Sequence, residues 1–259
     1  MHTFRPWKPD VPIWDAHMHV HRLPGHRWDS PPERAIALMD AAGIAKAAIM
    51  PYSEIDFASV EMLEEGATIA REFPDRFLLF ARLHPGSGGG AGELLDRAVE
   101  MGYVGLKLHP VGSRIHPTDT RTVDLVRRAA ELGLPTLFHC GDEELTLPGD
   151  IGPLAEKVPE ATIILGHAGG YAHVRQAMAW AERCPNIVLE LSATPHLLEL
   201  RRGLDRLGPE RFIFGSDGPG CLPQIDLIKT RALLQGGFER FAGDVLRNNF
   251  ARLLPGGMR

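Results

Sequence analysis

Cysteine is scarce in this chain and long apolar runs are missing. Its 259 residues include three cysteines, Cys140, Cys184 and Cys221. They are too few and too scattered for a disulfide framework, so a reducing, cytoplasmic compartment is expected. No window of about 18 apolar residues occurs, which excludes a transmembrane helix and gives no reason to expect a membrane partner. Met1–Asp10 has no apolar core of the kind that marks an export signal. Neither sign of charge dominates, with 28 Lys and Arg against 33 Asp and Glu, a net of −5. The basic face of a nucleic-acid binder is therefore not expected. With 44% apolar and 24% charged residues, collagenous, low-complexity and largely disordered chains are excluded as well.

What is present is alternation. Short, nearly continuous apolar runs read as strands at 12–20, 46–52, 77–84, 103–109, 136–140, 162–167, 187–192 and 212–217. Such runs are expected of parallel strands covered on both faces. Amphipathic stretches read as helices at 32–42, 55–73, 91–101, 121–132, 150–158, 172–183, 196–207 and 222–234, and 243–254 closes the chain. Pro31 and Pro32 open the first of these; Gly43 and Gly133 stop two others. Eight strand–helix units predict a single-domain (β/α)8 TIM barrel over 12–259, after an extended lead-in over 1–11. The glycine-rich Gly86–Gly92 follows the third strand rather than the first, so it reads as a flexible loop and not as a phosphate cradle.

Polar residues collect where the proposed strands end. Asp15, His17 and His19 alternate on the first strand, His139 ends the fifth, His167 the sixth and Asp217 the eighth. In a barrel these ends form one mouth, where active sites are built. His17 and His19 are two apart, so both imidazoles face one side of a strand. Two converging imidazoles cannot easily both be charged there, and a divalent cation resolves the conflict. A third imidazole from strand five and a carboxylate from strand eight would complete a compact nitrogen and oxygen site. Tyr52, Glu190, Ser192 and Cys140 also fall at strand ends; Cys140 reads as core, and the other three have no assignable role.

These residues resemble the amidohydrolase superfamily along essentially the whole chain. The resemblance is carried by Asp15-Ala16-His17-Met18-His19, Gly105-Leu106-Lys107-Leu108-His109-Pro110, Phe138-His139-Cys140, Leu165-Gly166-His167-Ala168-Gly169-Gly170 and Phe214-Gly215-Ser216-Asp217-Gly218-Pro219. In detail the chain is most similar to the amidohydrolase-related branch that includes aminocarboxymuconate-semialdehyde decarboxylase-like enzymes. The resemblance implies that His17, His19, His139 and Asp217 hold one divalent metal, with Zn first and Mn, Fe or Co as alternatives. It implies that His167 works as acid or base, or orients water, and that Asp217 accepts a proton in addition to binding the metal. Asp15 is expected behind the ligands or as a marginal ligand. Lys107 has three readings: a carbamylated bridge that would bring a second metal, a cation for a substrate carboxylate, or a structural ion pair. His109 is expected at the rim, and Arg27 and Arg114 lie in loops that would overhang the mouth, where an arginine can clamp a carboxylate.

The leading expectation is therefore a metal-dependent hydrolase of a small amide, lactone or related bond, using metal-activated water. A nonoxidative decarboxylase of a small carboxylic acid on the same scaffold is the second, and a non-catalytic metabolite-binding barrel the third. About a dozen residues, His21–Pro32, join strand one to its helix. That is short for the decarboxylase-like branch and favours the hydrolase. The expected partner is a small, carboxylate-bearing molecule; a homodimer is left open.

Overall fold

The computed structural model describes residues 9–27, 29–52, 59–87 and 90–257. Most of the expected lead-in (1–8), the beginning of the second expected helix (55–58), and Gly88 and Gly89 of the glycine-rich segment lie outside them. Eight parallel strands follow one another around the sheet: β1 (Ile13–His19), β2 (Ile44–Met50), β3 (Phe77–Arg82), β4 (Tyr103–Leu108), β5 (Thr136–Phe138), β6 (Ile163–Leu165), β7 (Ile187–Glu190) and β8 (Phe212–Ile213). Helices over Pro32–Ala42, Val60–Glu72, Gly90–Glu100, Thr120–Glu131, Pro148–Lys157, Val174–Arg183, Leu197–Leu207 and Pro223–Leu234 cover the outside. The architecture is the expected single-domain (β/α)8 barrel. No helix among the described residues is long and apolar enough to cross a membrane.

The barrel closes past the end of β8. There the backbone N–H of Ala16 donates to Phe214 O at 3.0 Å, Asp217 N–H to His17 O at 2.7 Å and His19 N–H to Gly218 O at 2.7 Å. An apolar plug fills the lower barrel, including Trp14, Ala16, Leu78, Phe80, Val104, Leu137, Ile164, Val188 and Ile213. Phe250 and Leu254 of the last helical segment join it. A second, larger apolar cluster lies between strands and helices. Layers of branched side chains inside such a barrel make it a packed core rather than a pore.

Two register shifts turn polar side chains into the mouth. Asp15 pairs with Ala47 but Met18 with Ile49, so β1 holds one extra residue between them. Trp14 and Ala16 belong to the inner plug, whereas Met18 packs in the outer cluster. The expectation that Asp15, His17 and His19 alternate on one regular strand is thus corrected. The extra residue lets His17 and His19 face inward above an apolar layer, while Asp15 lies at the seam with β8. A second shift falls between the pairs Leu79–Tyr103 and Phe80–Gly105. The Phe80 ring covers Gly105 so closely that any Cβ there would collide with it. Bulges of this kind re-aim side chains next to active sites.

Candidate metal centre

His17 and His19 stand at the end of β1, both buried. Asp217 sits beyond β8 in a left-handed conformation, φ 57°, which a non-glycine residue adopts at a cost. Its Oδ1 lies 3.5 Å from His17 Nε2 and 3.1 Å from His19 Nε2. At the other end of each ring is a second acceptor. His17 Nδ1 is 3.1 Å from Glu190 Oε2, and His19 Nδ1 is 3.4 Å from Pro51 O.

A neutral imidazole carries one proton and can satisfy one of two such acceptors. The charged form would satisfy both, but burial holds both rings below the usual histidine range, helped at His17 by the Lys107 charge. For Asp217, burial favours the protonated acid, yet the His19 contact and the surrounding imidazoles outweigh it and keep the group well below the ordinary carboxylate range. The result is two neutral rings and one carboxylate aimed at a common point. Their ligand atoms all lie within 4.8 Å of one another. This donor set fits a borderline divalent cation such as Zn²⁺, and a ligand imidazole commonly gives its other N–H to a carboxylate or carbonyl.

His17, His167 and Glu190 also lie within that span, but Glu190 is otherwise occupied. Its carboxylate accepts the backbone N–H of Ser192, the backbone N–H of His167 at 3.2 Å and the Ser192 hydroxyl at 2.8 Å, besides facing His17. Gly215 stands beside it and leaves no space for a Cβ. The sequence marks Glu190 only as a charge in an apolar strand; its partners come from β1, β6 and the β7 end.

His167 lies two residues past the end of β6 in a run of positive-φ backbone, with φ 62° at His167, 45° at Ala168, 93° at Gly169 and 67° at Gly170. That turn directs the ring back over the barrel, 5.1 Å from the His17 ring. Burial lowers its pKa to about 4. Its Nδ1 is 2.8 Å from Ser192 Oγ and its Nε2 is 3.1 Å from His139 Nδ1. His139, grouped by resemblance with the metal ligands, therefore meets His167 with one nitrogen and Glu143 Oε2, at 3.3 Å, with the other. It lies one ring further out than His17, His19 and Asp217, and His109 stacks on it at 4.4 Å.

Lys107 is buried at the end of β4 with Nζ 3.0 Å from His17 Nε2. Burial, and then the charge of Arg82, bring its pKa down to about 7. Arg82, which the sequence analysis did not single out, ends β3; it is buried and donates to the carbonyls of Pro51 at 2.9 Å and Tyr52 at 2.7 Å. Tyr52 stacks on His19 at 3.9 Å. Asp15 takes no place among the grouped donors: its Oδ1 accepts the backbone N–H of His17 and of Ser216, each at 3.0 Å. Arg27 and Arg114 are exposed in the loops after β1 and β4. Cys140 is in the core.

A family model described as amidohydrolase matches residues 14–237. No curated protein matches the sequence. Among solved structures, the fold is similar to a 2,6-dihydroxybenzoate decarboxylase complexed with 2,6-dihydroxybenzoate, at TM-score 0.72 and 18% identity over 94% of this chain and 99% of that one. It is also similar to a 5-carboxyvanillate decarboxylase from Novosphingobium aromaticivorans complexed with manganese and 4-hydroxy-3-methoxy-5-nitrobenzoic acid, at TM-score 0.74 and 13% identity over 94% and 96%. A third similar structure is a probable 2-pyrone-4,6-dicarboxylic acid hydrolase from Acinetobacter baumannii with citric acid bound, at TM-score 0.68 and 15% identity over 94% and 99%. At these identities the likeness establishes the fold.

Proposed function

The chain belongs to the amidohydrolase family, and from that premise we propose that it is a metal-dependent hydrolase of a small, carboxylate-bearing lactone or amide. His17, His19 and Asp217 hold the cation, with His139 as the further donor that the superfamily resemblance implies. When bound, a divalent cation supplies Lewis acidity toward a carbonyl oxygen and toward water.

The observation that carries the choice of reaction is the placing of His167, whose buried ring stands 5.1 Å from the His17 ring beside the grouped donors. At neutral pH His167, with its pKa near 4, is an uncharged base, and Asp217 is an ionised carboxylate. Both accept protons, as deprotonation of attacking water requires. His167 Nε2 takes that proton and returns it to the leaving group. Lys107, partly charged near pH 7, anchors the carboxylate of the substrate. A carboxylate on the substrate accords with the ligands named for the three similar structures, dihydroxybenzoate, a nitrobenzoic acid and citric acid.

Nonoxidative decarboxylation is the second reading, favoured by the two similar decarboxylases. It requires a proton delivered to carbon, for which the centre at rest offers fewer donors than acceptors. A panel of lactones, amides and hydroxylated aromatic acids, run in isotopically labelled water with and without chelator, separates the two. Hydrolysis incorporates solvent oxygen into the product and stops on chelation. Release of CO₂ without oxygen incorporation would establish the decarboxylase instead, and turnover untouched by chelation would contradict both metal mechanisms.

A further inference from the structure

We infer that one buried carboxylate, Glu190, sets the proton positions on both working imidazoles, acting on His17 directly and on His167 through the hydroxyl of Ser192. Glu190 and Ser192 are thus positioning residues. The inference rests on the roles proposed for the two histidines, but its consequences are visible without turnover.

Proton counting carries the argument. Two of the groups facing the Glu190 oxygens are backbone N–H groups, of Ser192 and His167, which can only donate. The carboxylate therefore acts as an acceptor on both oxygens. The Ser192 hydroxyl, 2.8 Å from Oε2, has one proton, and giving it to the carboxylate makes the stronger, charge-assisted bond. Ser192 Oγ is then left with lone pairs toward His167 Nδ1 at 2.8 Å, so Nδ1 must carry the ring proton and Nε2 is bare. The same logic applies at His17. Its Nδ1, 3.1 Å from Glu190 Oε2, holds the proton and leaves Nε2 bare toward Asp217 and Lys107.

The bare nitrogen is the one each role needs: at His17 to bind a cation, at His167 to accept a proton. Glu190 and Ser192 are both fully buried, so solvent does not compete for these bonds. The left-handed turn at His167 brings its backbone N–H and its ring to the same pair of residues.

Glu190→Leu is the informative substitution because it nearly preserves volume and removes both acceptor oxygens. With no acceptor at that place, neither ring is held in the Nδ1–H form. Glutamine would not decide the matter, because Oε2 also accepts the His167 backbone N–H: an amide oxygen at that place would keep both tautomers, and an NH₂ there would oppose that N–H. Ser192→Ala cuts only the His167 arm.

The test is nitrogen NMR of histidine-labelled protein, in metal-free and zinc-loaded forms, with the two rings assigned through single His→Gln variants. In the unsubstituted protein both rings are expected as Nδ1–H tautomers. Ser192→Ala is expected to release His167 to a tautomer mixture while His17 and the zinc content stay unchanged, and Ser192→Thr to restore the Nδ1–H form. Glu190→Leu is expected to release both rings to tautomer mixtures and to weaken zinc binding by about 10- to 100-fold, the usual cost of losing such a partner. Either ring found as Nε2–H in the unsubstituted metal-free protein, or a Glu190→Leu protein with both rings still held as Nδ1–H, would overturn the inference. Should Glu190→Leu fail to fold, the unsubstituted protein and Ser192→Ala still decide it. An inactive protein with the expected tautomers would count against the proposed reaction and leave this inference standing.

Discussion

The backbone N–H of Asp217 donates to the carbonyl oxygen of His17 across 2.7 Å, so a bond of the barrel seam also sets the spacing of a carboxylate and an imidazole. The proposed metal site is in this way built on barrel closure, and a substitution of either side chain should leave the fold intact. His17→Ala and Asp217→Asn are each expected to lose most bound metal and turnover, with circular dichroism unchanged. Metal content measured by elemental analysis checks this, and full retention in both variants would contradict the ligand assignment.

His167→Asn removes a ring that lies beside His17 but outside the cluster of His17, His19 and Asp217. The variant is expected to keep its metal and to lose about 10²- to 10⁴-fold in kcat, the range for a general acid or base. A near-normal kcat at unchanged metal content would take the proton-transfer role away from His167.

Asp15 holds two backbone N–H groups from opposite sides of the seam, at His17 and Ser216. Burial raises its pKa well above the ordinary carboxylate value, so a neutral oxygen acceptor suffices there. Asp15→Ala leaves two buried donors unsatisfied and is expected to cost about 2–6 kcal/mol. Asp15→Asn keeps an acceptor and should cost markedly less, with metal stoichiometry unchanged. Denaturant unfolding compares the two; equal losses would show that the acceptor oxygen is not what matters.

Asp226, on the helix after β8, accepts the backbone N–H of Ala193 at 3.2 Å and pairs with Lys229. Burial raises its pKa from 3.8 to about 6. Between those values the native state keeps a proton that the unfolded chain has released, so stability falls as pH rises through the window. Relative to Asp226→Asn, the unsubstituted protein is expected to lose stability, on the order of 2 kcal/mol, from about pH 4 to pH 6 and to change little above. Melting temperatures across that range check the slope, and a difference independent of pH would contradict it.

Strand and helix order could be read directly, since each apolar run lies within a few residues of a strand and Pro32–Ala42 agrees at both ends. His17, His19 and Asp217 were legible because histidine and aspartate are conspicuous at the ends of apolar strands. The bulges in β1 and β4 were not, because an inserted residue shows only against a partner strand. For the same reason a plain alternation assigns Asp15 to the wrong side. Glu190 and Ser192 were visible as residues but not as a network, since their partners come from β1 and the β6 end. The left-handed backbone at His167, Ala168, Ala193 and Asp217 has no local signal, as none of these is a glycine. Arg82 ends an apolar strand as His19 does, and that charge was the available clue.

The most direct measurement is an anomalous difference map from metal-loaded crystals, collected at the absorption edge of the bound metal. A single peak within bonding distance of His17 Nε2, His19 Nε2 and an Asp217 carboxylate oxygen is the predicted result. A peak held by other residues, or a loaded, active protein with no peak among these three side chains, would contradict the account.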